Sequence, residues 1–296
     1  MSGPQRSGAV AEFTEQDVGD FFDQTTQTYL SFWDSEGVLH TGYFADGADG
    51  EDADEDYAAA ATRTSDLIAA EAGIDSSSLV LDVGCGCGNF LFHLARQIGC
   101  RGAGLDLSIE RIKFARQRQV ELGEVAIGNI EFRHGSATRM PFEPARFSHV
   151  VSQDALFLVP DKPLSHAEIY RVLRPGGVLA FSDFLQPTKD IGPRARKHVY
   201  DRVRWNGGYS LVDYQVALAR AGFEIVLARD LGSHIKKTYR VLGRTAIERA
   251  ETTPDKAARD WMLAFAESCG EIQIAIDQGE FGWGIFVARK PRPGRR

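Results

Sequence analysis

The sequence predicts an α/β fold built on a doubly wound, mostly parallel sheet, and three observations carry that prediction. From residue 79 onward, short apolar runs of strand length alternate with amphipathic stretches of helix length, the pattern of a parallel sheet covered on both faces. The first of these runs breaks into a glycine-rich turn, LVLDVGCGCGNFLFHLA at 79–95, and resumes as a helix, as a strand does when it feeds a crossover. Finally, RVLRPGGVLAFSDF passes from helix to strand through Pro175-Gly176-Gly177, the punctuation expected at such a junction.

The elements follow in order. Residues 14–33 read as a helix: Thr14 and Asp17 can form a capping pair, and Val18, Phe21, Phe22 and Tyr29 fall near one face. The aromatic, glycine-broken SFWDSEGVLHTGYF reads as a loop with something to cover. The acidic ADGADGEDADEDYAAAA reads as a solvated loop leading into a helix at 57–72. It lacks the Gly and bidentate Glu offsets of a calcium hand. Strands are predicted at 79–83, 101–106, 129–134, 147–152 and 177–184, with helices at about 88–99, 108–122 and 163–173. A helix near 209–221, a strand in GFEIVLARDL, a mostly helical 233–280 and a last strand in GWGIFVARKP complete the chain. The domain division that results is 1–75 as an N-terminal helical lid with the acidic loop, 76–232 as a core, 233–280 as a helical insertion or cap, and 281–296 as the last strand with a basic tail.

Composition narrows the class of function. A hydrophobic fraction of 43% and a charged fraction of 25% suit a globular protein, and no run approaches the ~20 apolar residues of a membrane span. The first residues lack the apolar stretch of a secretory signal. Two of the four cysteines share one turn, which does not suit a disulfide framework. The expectation is a cytoplasmic protein. With a net charge of −7 and no broad basic patch, neither nucleic acid nor membrane is an expected partner. The tail ARKPRPGRR reads as a solvated end.

Three ligands compete for the glycine turn. A nucleoside triphosphate loop needs Gly-Lys-Ser/Thr, whereas Gly88 is followed by Asn89 and Phe90. A dinucleotide fingerprint fails on spacing. Counting from Gly84, its third position is Asn89, and from Gly86 it is Leu91, which disfavours a nicotinamide oxidoreductase. Cys85 and Cys87 alone are too few for zinc, so no metal site is expected.

What remains, Asp82-x-Gly84-x-Gly86-x-Gly88, resembles the first motif of the class I S-adenosylmethionine-dependent methyltransferases. Four further segments resemble that family in order, so that the likeness covers residues 79–184. GAGLDLS places Asp106 and Leu107 at the end of the second strand, where a carboxylate can accept hydrogen bonds from both ribose hydroxyls. The competing role for Asp106 is capping a helix near Ser108. RHGSATRMPF resembles the third-strand loop, which implies that Ser136 and Ala137 meet the adenine edge. FSHVVSQDALFLVPDK resembles the fourth-strand motif, with Gln153 and Asp154 over the cofactor, and LRPGGVLAFSDF resembles the fifth. The resemblance implies a Rossmann-like sheet with an antiparallel last strand, and S-adenosyl-L-methionine as cofactor, with Cys85 among the turn residues that hold it.

TYLSFWDSEGVLHTGYF resembles the N-terminal segment of the small-molecule branch. That branch contains glycine, sarcosine and dimethylglycine N-methyltransferases, tocopherol and sterol C-methyltransferases and natural-product tailoring enzymes. The match implies that Tyr29, Trp33 and His40 close over the methionine end of the cofactor. A histidine commonly follows three residues after the Ala of the SQDA segment in that branch. Here Leu158 stands there, leaving His40, Asp154, Asp183 or Tyr209 as candidate bases and making the pocket more apolar. His40 and Asp154 are the catalytic candidates carried forward, and His234 and Tyr239 suit a pocket wall or a surface helix start equally. The expected reaction is methyl transfer to the N, O or C atom of a small acceptor. Loss of a histidine at 158 also leaves room for a fold that binds the cofactor without transferring methyl groups.

Overall fold

The computed structural model describes residues 12–32, 38–44, 56–123 and 127–293. Trp33, most of the acidic loop and the end of the basic tail lie outside these residues, and so does the side chain of Tyr29.

Seven strands form one sheet: β1 (Leu79–Val83), β2 (Arg101–Asp106), β3 (Ile130–His134), β4 (Phe147–Gln153), β5 (Leu173–Leu185), β6 (Glu224–Asp230) and β7 (Gly282–Arg289). Their spatial order is β3-β2-β1-β4-β5-β7-β6. β1 pairs in parallel with both β2 and β4, whereas β7 is inserted antiparallel between β5 and β6. The strand order reverses between β1 and β4, so a crevice opens outside the carboxyl ends of these two strands.

Alternation along the strands explains why both faces are covered. Val80 packs into one core cluster and Leu81 and Val83 into the other. Ile285 and Val287 divide from Phe286 and Ala288 in the same way. The first face carries α2 (Tyr57–Ala72), α3 (Asn89–Gln97), α8 (Gly232–Thr252) and α9 (Lys256–Asp277). The second carries α5 (Lys162–Val172) and α7 (Leu211–Arg220). α4 (Ile109–Leu122) follows β2 and receives α1 (Glu15–Phe32) against it. Local signals set the helix ends: Asp56, Ser108, Asp161 and Asp255 accept hydrogen bonds as N-caps, and Ser210 with Asp213 forms a capping box.

Two segments depart from the sequence expectation. The helix expected to reach 173 ends at Val172, because Leu173 already pairs with Phe147. Register then jumps to His149–Val178, so that residues 174–177 bulge out. Gly176, at φ +79°, donates to the carbonyl of Lys290 across this bulge. The region 193–203, unassigned from sequence, holds α6 (Pro193–Ala195), a π-helical turn at Arg196–Tyr200 and a 3-10 turn at Asp201–Val203. It is fixed by Tyr200 stacking on Trp205, with ring centroids 4.3 Å apart. No helix among the described residues is long and apolar enough to cross a membrane.

Candidate functional site

The glycine turn is held by β2. The amides of Gly84 and Cys85 both donate to the Leu105 carbonyl, at 2.7 and 3.1 Å, and Gly88 donates to Cys85 O at 2.9 Å. All three glycines have positive φ, yet they do different work. A Cβ on Gly84 would run into the Cβ of Ala155, and one on Gly88 would lie 2.7 Å from the Phe132 ring. A Cβ on Gly86 would meet nothing nearer than Nη1 of Arg111, at 3.8 Å. Gly84 and Gly88 therefore let the turn pack, while Gly86 leaves backbone open to a ligand.

That open face lines a deep cleft over the carboxyl ends of β1, β2 and β4. Of the residues singled out from sequence, Asp82, Gly84, Cys85 and Gly86 line it from the turn. Asp106, Leu107 and Ala137 line it from β2 and the loop after β3. Gln153, Asp154 and His40 contribute from β4 and the 38–44 segment. Gly88 and Ser136 do not line it: Gly88 packs on Phe132, and the Ser136 hydroxyl donates to Glu15 at 2.8 Å.

Two carboxyl groups meet at the cleft floor. Asp106 accepts from the amides of Gly86 and Ser108, each at 2.8 Å, so it braces the turn and fixes Ser108, the N-cap of α4, while still lining the cleft. Burial, and secondly the charge of Asp106, pushes the Asp82 carboxyl up to about 8. Burial likewise lifts the Cys85 thiol well above its ordinary range, and all four cysteines are free and buried. Among the described residues no group of three or more His, Cys, Asp or Glu is placed to hold a metal.

Asp154 occupies a strained position, with φ +49° in a non-glycine residue. Its Oδ1 accepts from the Ser182 hydroxyl and from Trp283 Nε1, both at 2.7 Å, and its Oδ2 accepts from the Thr41 amide at 2.7 Å. Three donors on one carboxylate describe a brace joining β4, β5, β7 and the 38–44 segment. The candidacy of Asp154 as a base yields to this geometry. The segment it holds is fastened elsewhere too. Gly42 donates to Thr238 at 3.1 Å and Phe44 to Nδ1 of His234 at 3.1 Å, while Tyr57 donates to the His40 carbonyl at 2.8 Å. His40 thus enters the cleft from a tied-down loop, with Nδ1 3.3 Å from the Thr41 carbonyl.

The far end of the cleft is apolar but for Arg202, whose guanidinium donates to the Tyr239 hydroxyl at 3.0 Å. Leu156 to Pro160 form one wall, Phe184 and Val203 another, and Tyr239 and Leu242 of α8 a third. Lys162 holds the first wall in shape by donating to the carbonyls of Phe157 and Val159, at 2.8 and 3.0 Å. Asp183 and Tyr209, candidate bases from sequence, are not among the residues that line the cleft, and Asp183 accepts a short hydrogen bond from Tyr214 in the layer behind. Tyr239 is a wall residue. His234 is buried behind the 38–44 segment, with its ring stacked on Tyr43 at 4.4 Å.

Sequence reading missed Phe22, Arg111, Arg202, Thr238 and Leu242, which also line the cleft. Each comes from a helix or turn with no local motif, and only the tertiary fold brings it there.

A family model described as a methyltransferase domain matches residues 81–181. Phosphoethanolamine N-methyltransferase 3 of Arabidopsis thaliana is 29% identical over 215 residues, which are 71% of this chain and 42% of that protein. This chain therefore spans less than half of that relative. The 27-O-demethylrifamycin SV methyltransferase of Amycolatopsis mediterranei is 26% identical over 94% of this chain and 98% of its own length. Among solved structures, the [4+2]-cyclase SpnF superposes with a TM-score of 0.77 at 23% identity, covering 97% of this chain and all of that one. A Haemonchus contortus phosphoethanolamine N-methyltransferase 2, solved with phosphomonomethylethanolamine and S-adenosylhomocysteine, gives 0.76 at 18% identity over 93% of this chain and 61% of that one. At these identities the two structural likenesses speak for the fold.

Proposed function

We propose, from the methyltransferase-domain match over residues 81–181, that this chain is a class I S-adenosylmethionine-dependent enzyme that methylates a small, largely apolar acceptor. The observation that carries this reading is the cleft itself. At one end lie an open Gly86 and the carboxyls of Asp82 and Asp106, and at the other a largely apolar chamber with Arg202 at its edge.

The residues present suit the cofactor. Backbone at Gly86 can approach it closely, Asp106 retains lone pairs for ribose hydroxyls, and Leu107 and Ala137 offer an apolar slot for adenine. Gln153 lines the cleft from the end of β4, with its amide donating to Ser65 at 3.0 Å. When bound, S-adenosylmethionine supplies a methyl group already activated by a sulfonium sulfur. The protein's own task is alignment and exclusion of water. The wall Leu156 to Pro160, with Phe184 and Tyr239, positions the acceptor and keeps the chamber dry. Asp154 acts as a positioning residue by holding the 38–44 segment over the cleft. An acceptor amine can arrive neutral and needs no base. A phenol or carbon acid must lose a proton, and His40 is the group on that segment suited to take it. An acidic chain with an enclosed cleft favours a small cytoplasmic metabolite over nucleic acid.

The test is incubation with methyl-labelled S-adenosylmethionine and pooled glycine derivatives, phenols, amino sugars, isoprenoids and polyketide fragments. Label in one product supports the reading, and Asp106→Ala should then weaken cofactor binding. Full turnover by His40→Ala would remove His40 from proton transfer. A second reading, binding without methyl transfer, draws on Leu158 and on the fold shared with a [4+2]-cyclase. It takes over if S-adenosylhomocysteine binds tightly and no label moves.

A further inference from the structure

We propose that Arg111 is a cofactor-binding residue, donating through its guanidinium to the ribose hydroxyls on the side opposite Asp106; this rests on the cofactor reading above. Arg111 stands in the first turn of α4 and lines the cleft beside Gly86. Part of its guanidinium is occupied: Cζ lies 4.1 Å over the Phe22 ring of α1, and Nε reaches the Thr26 hydroxyl at 3.4 Å. Its Nη2 is different. That atom is buried and has no hydrogen-bond partner among the described residues. A guanidinium donor left unmade is costly, and Nη1 of the same group, 3.8 Å from where a Gly86 Cβ would stand, carries its donors to the open face of the turn.

The neighbours say what kind of acceptor. Asp106 also borders Gly86, with Oδ2 accepting from the Gly86 amide at 2.8 Å. A carboxylate only accepts and a guanidinium only donates. A ligand group between them must do both, and a hydroxyl does. A vicinal diol offers two, each able to give its proton to Asp106 and a lone pair to Arg111. A sulfonium offers no such pairing, and the adenine edge, which does pair a donor with an acceptor, is placed against Leu107 and Ala137 in the cofactor reading above. The arrangement also ties ligand to lid, because the same guanidinium carries the Phe22 face of α1. The Asp23 carboxylate of α1 accepts from the Ser108 hydroxyl at 2.5 Å at the start of α4.

Binding, measured by titration calorimetry, tests this without any acceptor. The probes are S-adenosylhomocysteine, 5′-methylthioadenosine and the 2′,3′-dideoxy form of methylthioadenosine. Arg111→Met should weaken the first two by the same factor, roughly tenfold to a hundredfold, the range of a hydrogen bond to a charged group. The dideoxy probe should bind the wild type and the variant alike. Phe22→Leu, which removes the ring but keeps the guanidinium, should preserve the preference for hydroxylated probes. Loss confined to S-adenosylhomocysteine would mean that Arg111 reads the amino-acid carboxylate, and the proposal fails. Equal loss on all three probes would reduce Arg111 to packing α1, and it fails again. If the wild type binds no adenosyl probe, the cofactor reading falls as well. If it binds them with no dependence on the hydroxyls, only Arg111 falls.

Discussion

A methyl group is enough to separate the glycines that shape this turn from the one that serves a ligand. Gly84→Ala would combine a left-handed backbone with a collision against Ala155, a strain of about 1–2 kcal/mol joined by an overpacking cost of about 1–3 kcal/mol. Gly86→Ala carries only the first of these, because its Cβ would point into open cleft. Urea unfolding should therefore rank Gly84→Ala well below Gly86→Ala in stability. S-adenosylhomocysteine binding should suffer in both, and in Gly86→Ala it should fall out of proportion to the stability lost. Equal stability in the two variants would show that Ala155 yields and that the division of labour is wrong. Asp154 lends itself to the same treatment. Asp154→Asn turns one accepting oxygen into a donor that faces other donors, costing about 1–3 kcal/mol. Trp283→Phe should reproduce part of that loss. If Asp154→Asn instead left stability unchanged and abolished turnover, Asp154 would be a base and no brace.

At the scale of elements, the acceptor wall depends on the start of α5. Lys162 is the first residue of that helix, yet its ammonium turns back to hold the carbonyls on either side of Leu158. Burial lowers its pKa below the usual lysine range, with the Asp183 charge opposing the shift. Lys162→Met would leave both carbonyls without this donor, and the Leu156–Leu158 turn would relax. The expected outcome is a severalfold rise in KM for the acceptor with S-adenosylhomocysteine affinity unchanged, and a parallel loss in both would refute it. This brace also marks where sequence reading stops. The strands were legible because β-branched and aromatic runs have their own period, and the Asp82 to Gly88 turn because its glycines are locally required. Lys162, Arg111 and Thr238 carry no such signature: a lysine after a cap, an arginine in a helix and a threonine in a helix read as surface until the fold turns them inward. The bulge at 174–177 and the π-helical turn at 196–200 escaped for a related reason, since distant partners set them: Lys290 for the bulge, and for the turn Glu280, whose carbonyl accepts from the Tyr200 hydroxyl at 2.7 Å.

At the scale of the whole molecule, two buried groups of opposite sign tilt stability against pH. His166 is 1% exposed, and both its ring nitrogens are buried without a hydrogen-bond partner among the described residues. Burial first, then the Lys162 charge, lowers its pKa to about 4 from 6.5. Between those values the unfolded chain binds a proton that the fold refuses, so stability falls as pH drops from 6.5 to 4, by about 3 kcal/mol in all. Asp82 works the other way. Its carboxyl, raised from 3.8 to about 8, keeps a proton that the unfolded chain has released. Its contribution is full below pH 3.8 and is lost as pH rises through 8. His166→Phe keeps a flat ring against Tyr209 and Tyr214 and has nothing to titrate. Its unfolding free energy, measured by urea at pH 4, 5, 6 and 7, should match the wild type at pH 7 within about 1 kcal/mol and pull steadily ahead as pH falls. Asp82→Asn should gain on the wild type from pH 5 to pH 8 instead. Because the two sites act through separate protons, the double variant should show both gains added. A His166→Phe curve parallel to the wild type throughout would mean that the imidazole takes up its proton as readily in the fold as in the unfolded chain, and burial would not be opposing its charge.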